Sequence, residues 1–489
     1  MIPGLQRTRS LALGCLAAAL VACPALAGTR HRLQFESKLQ ACAVPGVDDS
    51  VLCGHFEVPE DRSKPDGRKI SLNVVVVPAT GDSVASDPLV FLAGGGVAPA
   101  TRYASFLSRA FPRLRQHRDI LLVDQRCTWG SQPLACSGTT AVNAMRDSAA
   151  WFAALRRCRD SLRTVADLRM YSTSIAMDDL DAVRAWLGYD RINLYGVSYG
   201  TKAAQVYIRQ HPDRVRAAVL YGVVPLAQPA QLDLAPSAQR TFVRVCRQCA
   251  ADSACRTVTA DLKRDLDTLL AQLARRPMRV TTFGQPGTPR TIDITERAVR
   301  DLVQSMLGGS RSIERLPYVI HSAATGALGP IGQALGDEGG PPPPPLGVFL
   351  CILCGEAMPQ VDVSTIERAT SGTFFGSFPV RWQLRQCEGW PRASLPKDFW
   401  RPVSASVPVL AVSGDLDPIT PPRYGAGVIR GFPNGRHIVV PNRSHNDVDP
   451  CITGLFESFL IAGTAAGLET TCVMLPQPLH FATGPGDRR

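Results

Sequence analysis

Ser198, Asp417 and His445 are residue types that together can hydrolyse an acyl bond, and they stand in that order along the chain. Ser198 lies in Gly196-Val197-Ser198-Tyr199-Gly200, directly after Arg191-Ile192-Asn193-Leu194-Tyr195. A serine hydroxyl is a poor nucleophile until a base takes its proton. Among the eight histidines, His445 is the one in a loop directly after a β-rich run, His437-Ile438-Val439-Val440. His31, His55, His117, His211 and His321 precede the acid, His437 lies within the strand pattern, and His480 belongs to the C-terminal tail. The base needs a carboxylate to hold its tautomer and stabilise the imidazolium. Asp415 and Asp417 both follow the run Val407 to Ser413. Asp417 lies farther into the loop, before Pro418, and is the expected acid; Asp415 reads as a turn residue bonding local amides. Developing negative charge needs two N–H donors. The amide of Tyr199 is one, and Gly95 or Gly96 in Ala93-Gly94-Gly95-Gly96-Val97 is the expected source of the other. That loop lacks both the lysine of a phosphate loop and a full GxGxxG pattern. This chemistry requires no metal and no organic cofactor.

The elements that must hold these residues are legible as short apolar runs. Lys69 to Pro78, Pro88 to Ala93, Asp119 to Asp124, Arg191 to Tyr195 and Val215 to Val224 read as strands. Between them, Tyr103, Phe106, Leu107, Phe111 and Leu114 follow helical spacing, as do Ile175, Leu180, Val183 and Leu187. Nearly continuous apolar strands alternating with helices imply an α/β architecture: a mostly parallel sheet covered by helices on both faces. Helical patterns dominate from about Pro225 to Ser404, including the stripe Leu262, Leu266, Leu269, Leu270, Leu273 and a helix over Glu296 to Leu307. Gly339 to Pro345 reads as a loop. Strands return at Val407 to Val412 and His437 to Val440, followed by a helix over Ile452 to Ala462. The expected organisation is residues 1–27 as an export signal, 28–224 and 405–489 as two parts of one core, and 225–404 as a largely helical cap. Nucleophile at a strand–turn–helix elbow, then acid, then base, is the order of an α/β-hydrolase.

The motifs resemble the prolyl-aminopeptidase and tripeptidyl-aminopeptidase branch of the α/β-hydrolases over nearly the whole mature chain. Leu92 to Gly96 stands where that family has its oxyanion loop, Asp124-Gln125-Arg126 is similar to its Asp-Gln-Arg-Gly signature, and Gly196 to Thr201 to its nucleophile segment. Ser413 to Pro421 resembles its acid segment, with the role on Asp417, and Ser444-His445 its base. Three departures stand out. Gly96-Val97 replaces Pro-Gly, Cys127 and Trp129 replace glycines, and Tyr221-Gly222 stands where secreted relatives often have Asp-Gly. The resemblance implies an exopeptidase acting on short peptides, and an aminopeptidase needs a carboxylate for the substrate's α-ammonium. Cys354-Gly355-Glu356 resembles a Cys-x-Glu segment of relatives, which makes Glu356 the candidate, with an ordinary surface glutamate as the alternative. Two other functions fit the same chain: a carboxylesterase or lipase acting on small esters through the same triad, and a non-catalytic envelope binding protein that kept the fold.

Bulk properties agree with a globular exported protein. The 489 residues are 45% hydrophobic and 19% charged. The net charge of +11 comes without a Lys/Arg run of five or a nucleic-acid motif, so no nucleic-acid partner is expected. Arg7 and Arg9, the apolar stretch Leu11 to Val21 and Ala25-Leu26-Ala27 read as a cleavable signal for secretion or the periplasm. Leu20-Val21-Ala22-Cys23 also resembles a lipoprotein box, which would anchor Cys23. No segment reaches membrane-span length. Fifteen cysteines suit an oxidising compartment. Spacing suggests Cys42–Cys53, Cys136–Cys158, Cys249–Cys255, Cys354–Cys387 and Cys451–Cys472, with Cys127, Cys246 and Cys351 left over. The pairs Cys246/Cys249 and Cys351/Cys354 have zinc-like spacing but lack a second ligand pair, so no metal site is expected.

Overall fold

A computed structural model describes Met1, Phe35 and residues 37–47, 51–95, 98–136, 148–283, 289–336, 345–445, 447–475 and 477–487. The expected export signal, apart from Met1, lies outside the described residues, as do Cys23, Gly96 and most of the expected Gly339 to Pro345 loop.

Among the described residues nine strands form one sheet: β1 Gln40–Cys42, β2 Val51–Pro59, β3 Lys69–Val77, β4 Leu89–Leu92, β5 Ile120–Val123, β6 Ile192–Val197, β7 Val215–Tyr221, and then two late strands, Val409–Gly414 and Arg436–Val440. With the cap hairpin β8 Met278–Phe283 and β9 Pro289–Ile294 counted in chain order, those late strands are β10 and β11. The sheet order is β1-β2-β3-β5-β4-β6-β7-β10-β11. From β5 to β11 every pairing is parallel, while β1, β2 and β3 join antiparallel at one edge. The continuous apolar runs have a direct cause. On β6 and β7, Ile192, Leu194, Ala218 and Leu220 point into one core, while Tyr195, Ala217, Val219 and Tyr221 point into the other. On β10, Val409 and Ala411 alternate with Leu410 and Val412 in the same way. A strand buried on both faces has no polar side to interrupt its run.

Helices cover the two faces. Helix α1 (Ala104–Ala110) lies on one face with a late helix over Pro450–Ala462, burying Ala104, Leu107, Phe456 and Phe459. On the opposite face lie α2 (Ser148–Val165), α3 (Thr173–Leu187) and α4 (Tyr199–Gln210), burying Trp151, Leu180, Val183, Ala203 and Val206.

Between β7 and β10 come α5 (Ala230–Ala251), α6 (Ser253–Val258), α7 (Leu262–Arg275), the β8–β9 hairpin, α8 (Glu296–Leu307), α9 (Ser310–Ala324), α10 (Gly329–Gly336), α11 (Leu346–Ile352), α12 (Ile366–Thr370) and α13 (Phe378–Gln386). The leucine stripe of α7 is buried as its spacing requires, and α8 has the bounds read from sequence. This stretch has two allegiances. Residues from Ala235 to Ile331 share a core of their own, joined by Phe375, whereas Val348 to Val403 largely pack into the main cluster with α2 and α3. The chain closes with α14 (Pro422–Val428), α15 (Pro450–Ala462) and α16 (Thr471–Met474).

Among the described residues five disulfides form, pairing Cys42–Cys53, Cys136–Cys158, Cys249–Cys255, Cys354–Cys387 and Cys451–Cys472. Cys127, Cys246 and Cys351 are free thiols. Burial pushes each of the three up to about 12, which removes their reactive thiolate at neutral pH. The zinc-like pairs are split, because Cys249 and Cys354 each bond elsewhere. Among the described residues no single helix is long and apolar enough to cross a membrane. A bent pair, Leu346–Gln360 and Val363–Thr370, has the length and composition, and most of its residues are buried inside the protein.

Candidate active site

Ser198 sits between β6 and α4 with φ 53° and ψ −119°, a backbone state that a residue with a Cβ rarely adopts. The turn is held by its neighbours. Ser198 N donates to Tyr221 O at 2.9 Å, and Gly200 packs so close to β4 that a Cβ there would lie 1.8 Å from Leu92 O. The strained turn presents the hydroxyl at the C-terminal edge of the sheet.

His445 comes from the loop after β11 and Asp417 from the loop after β10, two parallel neighbours in the sheet. His445 Nε2 lies 2.9 Å from Ser198 Oγ, and Nδ1 lies 2.8 Å from Asp417 Oδ2. A carboxylate only accepts, so Nδ1 carries the proton there and Nε2 is left to accept from the serine hydroxyl. Asp417 is 3% exposed and His445 4%. Burial pushes the Asp417 carboxyl up, but the neighbouring His445, its hydrogen bond and the bonds from Thr420 outweigh this and hold it below the ordinary range. Its Oδ1 accepts from Ile419 N and Thr420 N, both at 2.8 Å. Thr420 Oγ1 donates to Asp417 Oδ2 at 2.6 Å and sits 2.9 Å from His445 Nδ1.

The other candidates from sequence lie apart. Asp415 pairs with Arg244 at 2.6 Å and accepts from Asn442 N at 2.7 Å, which makes it a turn anchor. His437 Nε2 meets Ser413 Oγ at 3.0 Å, and His480 is exposed in the tail. The base loop is tied to the helical region. Ser444 Oγ donates to Leu307 O at 2.5 Å, and Asp447 accepts from both Ser444 N and Ser310 N.

On the oxyanion side, Gly95 has φ +66° and is exposed. Gly94 lies against Ser198, 3.0 Å separating a Cβ placed there from the serine Cβ. Gly96 lies outside the described residues. Tyr199 opens α4, where first-turn amides have no intrahelical acceptor. Asp124 secures the chain leaving the glycine loop: it accepts from Thr101 N at 3.0 Å, Thr101 Oγ1 at 2.9 Å and Asn73 Nδ2 at 3.0 Å. Arg126 is buried against Asp179 in a two-point ion pair of 2.6 and 2.9 Å.

Glu356 is 0% exposed, in a π-helical turn from Leu353 to Ala357. Its carboxylate accepts from Thr173 N at 2.6 Å and Thr173 Oγ1 at 2.8 Å, and pairs with Lys202 Nζ at 2.9 Å. It is therefore neither an open receptor for an ammonium group nor an ordinary surface glutamate. Thr420, Thr173 and Lys202 escaped the sequence reading. Thr420 had a signal, a hydroxyl three residues after the acid. Thr173 and Lys202 had none, since Thr173 is 183 residues from Glu356.

Two family models match the chain. One, described as alpha/beta hydrolase fold, covers residues 87–292; the other, described as TAP-like protein, covers residues 373–472. Serine protease Hip1 of Mycobacterium tuberculosis (strain ATCC 25618 / H37Rv) is 26% identical over 526 residues, spanning 94% of this chain and 96% of the relative. Tripeptidyl aminopeptidase of Streptomyces lividans is 23% identical over 463 residues, spanning 86% and 83%. A solved structure, the alpha/beta hydrolase enzyme MGS-M2 from a Medee basin deep-sea metagenome library, is 13% identical with a TM-score of 0.38, covering 81% of this chain and 95% of its own. The largely parallel sheet with a nucleophile-type elbow after β6, in the stretch matched by the first model, shows the α/β-hydrolase fold, and the later stretch that carries Asp417 and His445 is similar to a TAP-like protein.

Proposed function

We propose that this protein is an exported serine peptidase of the aminopeptidase type, releasing residues or short peptides from a free N-terminus through an acyl-enzyme. The observation that carries this reading is the relay from Ser198 Oγ to His445 Nε2 at 2.9 Å and from His445 Nδ1 to Asp417 at 2.8 Å. Relatives named as a serine protease and a tripeptidyl aminopeptidase, matched over most of their length, support the peptidase class.

In this reading Ser198 attacks the scissile carbonyl as His445 takes its proton. Asp417 holds the imidazole and stabilises its positive form. The oxyanion is held by the amide of Tyr199 and an amide of the glycine loop at Gly95 or Gly96. His445 then gives its proton to the leaving amine, and water releases the acyl group by the same relay in reverse. The helical region over residues 225–404 serves as the cap that restricts entry to short peptides. Five disulfides suit an oxidising compartment, in keeping with secretion or a periplasmic location.

The test has three parts. A fluorophosphonate probe should label wild type at Ser198, whereas a non-catalytic binding protein would stay unlabelled. Ser198→Ala should lower peptide hydrolysis by about 10⁴-fold or more. Acetylating the N-terminus of a peptide substrate should abolish turnover, whereas an esterase-type site would be indifferent to it. Hydrolysis left intact in Ser198→Ala would end the proposal.

A further inference from the structure

Behind the elbow lies a buried polar cluster that none of these steps uses. Its centre is Glu356, and its other members are Thr173, Lys202 and Tyr199, with exposures of 0, 6 and 7%. Glu356 belongs to the segment between β7 and β10, Thr173 opens α3, and Tyr199 and Lys202 both lie in the first turn of α4.

Donor counting fixes the direction of the bonds. The Thr173 hydroxyl has one proton and gives it to Glu356 Oε2 at 2.8 Å. It is then left to accept from the Tyr199 hydroxyl, 2.9 Å away, which is nearer than that hydroxyl's other acceptor, Gln125 Oε1 at 3.4 Å. Burial first, then the charge on Glu356, raise the Tyr199 phenol well above its ordinary range, so it remains a donor at any working pH. Lys202 Nζ reaches the same Oε2 at 2.9 Å. Tyr199 and Lys202 are three residues apart, hence on one face of the helix. Two side chains of a single turn are thus tied to one carboxylate, directly by Lys202 and through Thr173 by Tyr199. Two such ties fix both the rotation and the height of that turn, which contains the Tyr199 amide. Glu356 is itself held from behind, its carbonyl accepting from Trp400 Nε1 at 2.8 Å.

We propose that Glu356 is a positioning residue that sets the oxyanion-binding amide of Tyr199 by clamping the first turn of α4 through Thr173 and Lys202. This takes the place of the ammonium-binding role expected for it from sequence, and it rests on the Ser198 reading above. A charged carboxylate is required because three donors converge on it. In Glu356→Gln one end of the side chain becomes a donor facing donors, and the clamp loses at least one tie.

The experiment measures the rate of Ser198 labelling by a fluorophosphonate, whose phosphoryl oxygen occupies the oxyanion position, beside kcat and KM on a free N-terminal peptide and the Tm. The variants are Glu356→Gln, Tyr199→Phe, Lys202→Met and the double variant Glu356→Gln/Lys202→Met. Glu356→Gln should slow labelling and lower kcat by about 10-fold or more with KM within about 3-fold of wild type. Tyr199→Phe leaves the ion pair whole and should still slow labelling, by about 3-fold or more at nearly unchanged Tm. The double variant removes both buried charges, so its Tm should recover while its labelling stays slow. Three results would overturn the assignment. Labelling could return together with Tm in the double variant, which makes the pair purely structural. Tyr199→Phe could label at the wild-type rate. Glu356→Gln could raise KM for the free-amine peptide with kcat and labelling unchanged, which makes Glu356 a substrate contact. A wild-type protein that the probe does not label at all would instead sink the Ser198 reading, and this inference with it.

Discussion

Thr420 shares two groups that must not drift apart. Its hydroxyl donates to Asp417 Oδ2 and stands 2.9 Å from His445 Nδ1, while its amide donates to Asp417 Oδ1. The amide bond fixes one carboxylate oxygen and the hydroxyl fixes the other, so the carboxylate plane is set by contacts independent of the imidazole. Replacing Thr420 by Val keeps the volume and removes the charge-assisted bond, a contribution of about 1.5–3 kcal/mol. Thr420→Val is therefore expected to lower kcat by about 10-fold or more, with Thr420→Ser recovering most of the loss. Equal kcat for the Val variant and wild type in steady-state kinetics would mean that Asp417 is oriented without it. The three side chains of the proposed relay could be singled out from sequence because the strands that deliver them are rich in apolar residues and each of the three sits in the turn or loop that follows one. Thr420 was less visible because a threonine after an aspartate is commonplace in turns. Lys202 was invisible, because a lysine one turn into a helix reads as a solvated residue until its buried partner is known.

At the scale of elements, β10 and β11 set the distance between acid and base. Their parallel register, Gly414 opposite Val440, releases both loops at the same edge of the sheet. On β11 itself lies His437, half-buried with its ring against Ser413 of β10 and its pKa lowered by burial. The consequence for stability has a definite sign. Below a pH of about 6.5 the unfolded chain protonates this imidazole while the folded chain still refuses the proton. Unfolding is thus favoured progressively as pH falls from that point to the folded pKa. In His437→Gln the corresponding drop in Tm should shrink; melting curves at pH 7.5 and 5.5 that fall equally in both proteins would assign it elsewhere. The base loop also depends on α9. Gly309, which precedes α9, offers no side-chain cap, and Asp447 accepts from Ser310 N in its place at 3.0 Å while holding Ser444 N. Asp447→Ala should cost about 1–2 kcal/mol of stability in denaturant titration, as the loss of an N-cap does, and reduce kcat as well. Loss of stability with full activity would separate the helix cap from the base loop. The β8–β9 hairpin was missed from sequence because Met278 to Phe283 offers only a weak alternation amid strong helical stripes.

Over the whole molecule, the helical region and the α/β core are fastened together by segments far apart in the chain. The C-terminal tail is one such fastener. Gln477 O accepts from Asn442 Nδ2 and Gln477 Oε1 accepts from Arg443 Nη2 at 2.5 Å, both just before Ser444-His445. Beyond it, Leu479 and Phe481 are buried in the separate core of the helical region, and Ala482 N donates to Glu314 O on α9 at 2.9 Å. The tail thus spans from the base loop to α9, the helix whose N-terminus Asp447 already ties to that loop. Composition gave no hint of this, because Gln477 to Phe481 is too short to show a period and lies in a C-terminal tail, where a loose segment is the ordinary expectation. The two halves of the strap separate by substitution. Phe481→Ala removes a buried aromatic and should cost about 3 kcal/mol or more, visible as a lower midpoint in denaturant. His480→Ala, at an exposed side chain between the two anchors, should change the midpoint by no more than about 0.5 kcal/mol. Because the lost anchor frees Gln477 to leave the base loop, kcat in Phe481→Ala should fall under conditions where the protein is still folded. A midpoint shift with unchanged kcat would show that the tail only fills the helical core and that the loop carrying His445 is held well enough by the bonds of Asp415 to Asn442 and of Asp447 and Leu307 to Ser444.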